Sequence, residues 1–189
     1  RFFRISIFIP YAVHGVVSTL MWGFLLGTRY GLFKNVNELF GTDVDPFSPS
    51  SVIVAIGVMI SWGSIGYNML IFYSSLKAIP TELYEAAAID GASHWQVDRN
   101  IKIPEISGSL SIALIFAIIG STQLFNEPQI LSKMMGGTGI TTNWTPNLYI
   151  YDLAFSDSSQ GYAAAAAIVM ALIVIVATFA IQIRSMRRS

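Results

Sequence analysis

Glu85-Ala86-Ala87-Ala88-Ile89-Asp90-Gly91 opens a polar stretch that closes, after nine further residues, on Ile101-Lys102-Ile103-Pro104. Pro80 and Thr81 suit a helix start and set Glu82 and Glu85 near the positive end of its dipole. Leu83, Ala86, Ala87 and Asp90 share one face at helical spacing, and the alanine pair leaves that face flat enough for another surface to come close. Gly91 stands where a residue in the left-handed conformation ends a helix. Ser93 with Gln96 three residues later is a capping-box pattern for a second short helix. That helix is expected to stop before Pro104, because the residue preceding a proline is pushed out of the helical region. The pattern predicts helix, sharp turn, helix, and a plain capped connector would show the same signals.

What surrounds this stretch decides the fold class. The 189-residue chain is 53% hydrophobic and only 12% charged, about half the charge of an ordinary soluble domain. The charges are also clustered: Ile5–Thr28, Pro46–Leu76, Ile106–Asn126 and Ser158–Ile183 contain no Asp, Glu, Lys or Arg. Each run meets the length of about 20 residues that a helix needs to cross a bilayer. The expectation is an all-α, polytopic membrane helical bundle, one domain over 1–189 with about four spans at 5–27, 52–76, 107–125 and 162–183. The polar stretch becomes a loop at about 77–105. Pro10 lies in the first turns of the first span, where a lost N–H matters least. Gly31, Gly41, Pro46 and Pro49 read as turns in the next loop.

Four alternating spans put the loop at 77–105 on the side of both termini. That side carries Arg1, Arg4, Lys77, Arg99, Lys102, Arg184, Arg187 and Arg188, against Arg29, Lys34 and Lys133 on the other. The positive-inside rule makes the loop and both termini cytoplasmic. No basic patch suggests nucleic acid. The lack of Cys removes disulfides, thiolate metal sites and thiol catalysis, and no metal site is expected.

No catalytic residue stands out. Gly136, Gly137 and Gly139 are not followed by Lys-Ser or Lys-Thr, so they form no phosphate-binding loop. Ser64 in Trp62-Gly63-Ser64-Ile65-Gly66 invites an intramembrane serine hydrolase reading, with His14 as the only base in a span. A lone intramembrane His more commonly forms a hydrogen bond at a polar interface. A secondary transporter is the other alternative, but it would favour intramembrane carboxylates, and the four runs have none. Polar and aromatic residues in or near the spans are candidates to line a path for a polyhydroxylated solute: Trp62, Tyr67, Asn68, Ser121, Gln123 and Asn126. Interhelical hydrogen bonding and an aromatic belt need the same side chains. Trp144, Tyr149, Tyr151 and Phe155 read as belt and docking surface.

The segment 85–104 resembles the EAA loop of ATP-binding cassette (ABC) importer permeases, E-A-A, three residues, G, nine residues, I-x-L-P, with Ile103 in place of Leu. Tyr84, Ile89, Asp90, Ala92, Trp95 and Gln96 are similar to the carbohydrate-type permeases, while Asp98 stands where those proteins usually carry an aromatic. Residues from about Phe8 to Arg187 resemble the C-terminal two-thirds of maltose-type and glycerol-phosphate-type permease subunits. Tyr149-Ile150-Tyr151 and Gly161-Tyr162-Ala163 match the approach to their last helix. Gly136-Gly137-Thr138 resembles a Gly-Gly-Pro turn.

The resemblance implies a type I ABC importer permease core in a bacterial cytoplasmic membrane, N-terminally truncated by one or two spans. It implies a non-catalytic subunit that moves a sugar or related polar solute and binds no cofactor itself, ATP being used by the partner. The implied partners are cytoplasmic ABC ATPase subunits, a second permease subunit, an extracytoplasmic solute-binding protein and membrane lipid. Glu85, Ala86, Ala87, Asp90, Gly91, Ile101 and Pro104 are the residues expected to couple to the ATPase.

Overall fold

The computed structural model describes residues 2–13, 15–136, 138–156 and 159–186, with the side chains of 2–4 and 184–186 excepted. His14 and Gly137 lie outside the described residues, as do Arg187 and Arg188 of the tail. The described secondary structure is helical: α1 (Phe2–Ala12), α2 (Gly15–Leu26), α3 (Leu32–Phe40), α4 (Val52–Ala78), α5 (Thr81–Ile89), α6 (His94–Val97), a π-helical turn at Asp98–Lys102, α7 (Ile103–Glu105), α8 (Ser107–Thr122), α9 (Asn126–Met134), α10 (Pro146–Phe155) and α11 (Gln160–Met186). The stretches Val52–Ala78, Ser107–Met134 and Gln160–Ile183 are long and apolar enough to cross a bilayer. A fourth crossing is made only if α1 and α2 count as one, and they meet at 102°. The straight span expected over 5–27 is therefore two helices. Pro10 stands near the end of α1 and not at the start of a long rod, and the break falls between Pro10 and Gly15, residue types poorly suited to a helix interior.

The chain divides into two compact units, Arg1–Gly66 with Thr122–Ala171 and Tyr67–Ser121 with Leu172–Ser189. In the first, α2 packs on α9. Gly23 is buried, and a Cβ there would stand 3.1 Å from the Met134 thioether, so the missing side chain lets the two helices approach. The core is Phe47, Val52, Ala55, Ile56, Met59 and Leu131, with Trp22, Leu26, Leu124, Met135, Ile140 and Trp144 packed around it. The backbone of α1 crosses α4 at Gly66, where a Cβ would meet the Ile7 carbonyl at 2.7 Å. The hydroxyls of Ser18 and Thr19 both donate to the Gly15 carbonyl, at 3.0 and 2.7 Å. Both are buried, and these bonds satisfy them within an apolar helix.

The non-helical residues 123–125 between α8 and α9 follow from the same logic. Thr145 caps α10 by accepting from the Leu148 N–H at 3.2 Å and donates to the Leu124 carbonyl at 2.9 Å. The Asn147 amide donates to the Gln123 carbonyl at 2.9 Å. Two carbonyls that the helix end leaves without partners are thus taken up by the start of α10.

In the second unit α4 and α8 run side by side. The Ser75 and Ser109 hydroxyls form a hydrogen bond, and the Tyr67 ring meets Phe116 edge-on at 6.0 Å between centroids. The later residue of α4 meets the earlier residue of α8, so the pair is antiparallel. Hydroxyl and ring contacts of this kind hold helices together where lipid leaves no hydrophobic drive between them.

Candidate functional site

The loop from Pro80 to Ile106 is built almost wholly from local signals. Pro80 has φ −58° and α5 begins at Thr81. Its end is a complete Schellman motif: the Gly91 N–H donates to the Ala88 carbonyl at 3.1 Å and the Ala92 N–H to the Ala87 carbonyl at 2.9 Å. Gly91 sits at φ +70°, a conformation that costs L-residues free energy and that glycine adopts freely. Ser93 and Gln96 then form both halves of a capping box. The Gln96 N–H donates to Ser93 Oγ at 3.4 Å, and the Ser93 N–H donates to Gln96 Oε1 at 2.7 Å. The N–H groups of Gly91, Ala92, Ser93 and Gln96 are thereby paired by residues of the turn itself.

Beyond α6 the structure departs from expectation. The helix does not stop before Pro104; Ile103 is helical, at φ −62° and ψ −46°. The chain widens into a π turn over Asp98–Lys102, with the Ile103 N–H donating to the Asp98 carbonyl. In an α-helix the Pro104 ring would press on the carbonyl four residues back. The wider turn moves that carbonyl aside and lets the helical path run through the proline. Asp98 receives Lys102 Nζ at 2.6 Å across this turn. The carboxylate holds the Lys102 ammonium above the usual lysine range, first through the hydrogen bond and then through its charge, with desolvation opposing.

The loop sorts its residues into two sets. Ala87 is buried and Ile101 half-buried, whereas Glu85, Ala86, Asp90, Gly91 and Pro104 are exposed. At helical spacing buried Ala87 falls on the side of half-buried Tyr84, while Glu82, Glu85, Ala86 and Ile89, all exposed, share the opposite face. The Glu82 and Glu85 carboxylates carry no side-chain partner among the described residues, so Glu85 does not cap the loop. Two exposed residues were named in the resemblance but not among the expected coupling residues, Ile89 at 87% and Trp95 at 68%. Each was visible as an apolar residue on a capped, polar helix, where burial would be the ordinary expectation.

The candidate path residues fall into both units. Trp62 packs edge-on against Trp22 at 5.7 Å between ring centroids, and the Trp22 indole N–H is buried without a hydrogen-bond partner among the described residues. Gln123 and Asn126 are exposed; Asn126 opens α9 and does not end the preceding span, and a Cβ on Gly15 would sit 3.8 Å from its amide and from the Glu127 carboxylate. These belong to the first unit. Tyr67 and Asn68, both half-buried, and exposed Ser121, whose hydroxyl donates to the Ile118 carbonyl at 3.0 Å, belong to the second. Of the outer aromatics, Tyr151 stacks on Phe125 and Phe155 at 5.1 and 4.8 Å. Ser64 Oγ donates to the Ile60 carbonyl at 2.8 Å.

A family profile described as binding-protein-dependent transport system inner membrane component matches residues 1–188. The chain belongs to this family. It is a multi-pass membrane protein. Its relatives include the probable ABC transporter permease protein YurN of Bacillus subtilis, 29% identical over 98% of this chain and 63% of that protein. The diacetylchitobiose uptake system permease protein NgcF of Streptomyces coelicolor is 31% identical over 93% of this chain and 50% of that protein. The probable starch degradation products transport system permease protein AmyD of Thermoanaerobacterium thermosulfurigenes is 30% identical over 93% and 59%. The chain thus spans between half and two-thirds of the length of these relatives. Among solved structures, a chain of a bacterial ABC transporter involved in importing the acidic polysaccharide alginate shares the fold, with a TM-score of 0.83, 21% identity and coverage of 97% of this chain and 64% of that one.

Proposed function

We propose that this chain is the translocating core of a permease subunit in an ATP-driven importer, and that its solute is a sugar or a related polar compound. The loop at 77–105 and the tail Arg184–Ser189 lie in the cytoplasm of a bacterial cell, and 28–50 and 127–157 lie outside. Two ATPase subunits dock on the loop and use the ATP; a second permease subunit completes the path, and an extracytoplasmic solute-binding protein delivers the solute. The observation that carries this reading is the loop itself. It is stiffened by a Schellman motif and a capping box, yet it turns Ile89 and Trp95 outward with two carboxylates beside Ile89, as a surface made for a protein partner does. The relatives' names supply the solute class: diacetylchitobiose for one and starch degradation products for another. Amides, hydroxyls and aromatic rings at Trp62, Tyr67, Asn68, Ser121, Gln123 and Asn126 suit such a solute, because they can hydrogen-bond its hydroxyls and stack on a sugar face.

The test is reconstitution of the whole transporter in vesicles, with ATP hydrolysis measured with and without solute and its binding protein. Stimulated hydrolysis and solute entry are expected together, and Gln123→Ala or Asn126→Ala should slow entry while insertion is retained. Uptake that proceeds without ATP, driven by an ion gradient alone, would return the chain to the secondary-transporter reading.

A further inference from the structure

The connector between α2 and α4 carries an unused surface. On α3, Leu32, Phe33, Val36, Leu39 and Phe40 fall within an arc of about 120° at about 100° per residue, and Lys34, Asn35, Asn37 and Glu38 take the rest of the circumference. The apolar arc is open at Leu32, Leu39 and Phe40, Leu39 being 78% exposed and Phe40 70%, while Phe33 and Val36 are half-buried. The polar side is closed on itself, with Lys34 Nζ 3.8 Å from Glu38 Oε1. Asn37 Oδ1 accepts from Thr42 and from the Val44 N–H while its amide donates to the Val44 carbonyl.

The position of α3 is fixed by its neighbours. The Gly31 N–H donates to the Gly27 carbonyl at 3.0 Å, and a Cβ on Gly31 would collide with the Phe24 and Leu25 carbonyls at 2.4 Å. The start of α3 is therefore folded tightly onto the end of α2. Residues 41–51 then lead into α4, the longest apolar helix of the unit. A helix strapped between the same ends of two bilayer-embedded helices lies at the level of the headgroups. The exposed apolar surface at the end of α2, Phe24 and Leu25, runs directly into it, and Arg29 and Tyr30 at the junction are residue types that settle at that level.

We propose that α3 lies in the plane of the leaflet at that end of the spans, with Leu32, Phe33, Val36, Leu39 and Phe40 sunk into the boundary between phospholipid headgroups and acyl chains. The polar side carries one positive and one negative charge, already paired, so the attraction is burial of the apolar stripe and not pairing with a charged partner. The inference needs only that the chain is embedded in a bilayer, and it stands or falls apart from the solute and the ATPase.

The chain has no Cys, which permits single spin labels. The full permease, reconstituted in vesicles of phosphatidylethanolamine and phosphatidylglycerol, would carry Leu39→Cys or Phe40→Cys on the apolar side and Lys34→Cys or Glu38→Cys on the polar side. Labels at 39 and 40 are expected to collide several-fold more with oxygen than with a water-soluble nickel chelate, and labels at 34 and 38 should show the reverse. Phe40→Cys serves if Leu39→Cys fails to reconstitute. Equal access of the nickel chelate to all four sites overturns the proposal. So does a label at 39 or 40 that is wet in vesicles and becomes shielded only when a solute-binding protein is added, which makes the face a protein dock.

Discussion

Two connectors of similar length leave α4, one at each end, and they solve the same problem differently. The loop 79–106 and the segment 27–51 both fold into short helices closed by local turns, through Gly91 and Ser93–Gln96 in one and through Gly41 and Asn37 in the other. On α5 and α6 the exposed large apolar residues, Leu83, Ile89 and Trp95, stand apart from one another among polar and charged neighbours. On α3 they form a continuous stripe. An isolated large apolar residue on a stiff polar surface suits a shaped protein groove, where a few anchors dominate the binding energy. A stripe suits a medium with no shape of its own, such as lipid. The arrangement of exposed apolar residues separates the two connectors more sharply than their composition does.

The comparison can be broken most forcefully at Gly91. Gly91→Val forces a β-branched residue to positive φ at a cost of about 1–3 kcal/mol and re-aims both short helices. The expected outcome is an inserted protein whose ATP hydrolysis no longer responds to solute, read by the reconstituted assay. Normal stimulation would mean that the angle of the turn is irrelevant to coupling.

Ile89→Asp comes next. If Ile89 is an anchor, its loss costs about 2 kcal/mol, or about thirtyfold in ATPase affinity, with the melting temperature of the permease unchanged because the residue is exposed. The same change at Leu39 should leave ATPase binding untouched. Ala86→Trp and Ala87→Trp sharpen the division inside the loop. The bulky residue at buried Ala87 should overpack the loop by about 1–3 kcal/mol and lower its thermal stability, whereas at exposed Ala86 it should act on partner binding alone.

The smallest effect is expected at Asp98. Asp98→Asn removes the partner that raises the Lys102 value. A group whose value is raised on folding stabilises below its ordinary range and loses that contribution as pH climbs through the raised value. The wild type should therefore exceed the variant slightly in melting temperature at neutral pH. The difference should close only in strongly alkaline solution, as tracked by circular dichroism.

The parts legible in sequence were those whose cause is local. Gly91 and the Ser93–Gln96 pair are read from a few adjacent residues because a cap is made by those residues alone. Helix type and approximate ends for Val52–Ala78 and Gln160–Met186 follow from apolar length in the same way. Where a second segment or an alternative geometry decided the outcome, the reading failed. Pro104 signalled a stop, but a π turn is an equally local way to house its ring and leaves no mark in the spacing. The bend between α1 and α2 had Pro10 and Gly15 as its only signs inside an otherwise uniform run. Ala87 and Ala86 are identical in sequence, and only packing tells them apart. The helix α3 was hidden behind its turn residues, although Leu32, Phe33, Val36, Leu39 and Phe40 already had helical spacing. The candidate path residues are distributed between both units, and polarity alone carried no information about that division.

The π turn at Asp98–Lys102 has a mechanical meaning. Rewinding it to α geometry would rotate everything downstream by about 100° and shift it by about 1.5 Å, which would make it a ratchet between the loop and α8. Pro104 removes that freedom, because the rewound form drives its ring into the Asn100 carbonyl. The phase of the turns from Ser93 to Glu105 is thus locked by one ring, ahead of the break at Ile106 where α8 begins.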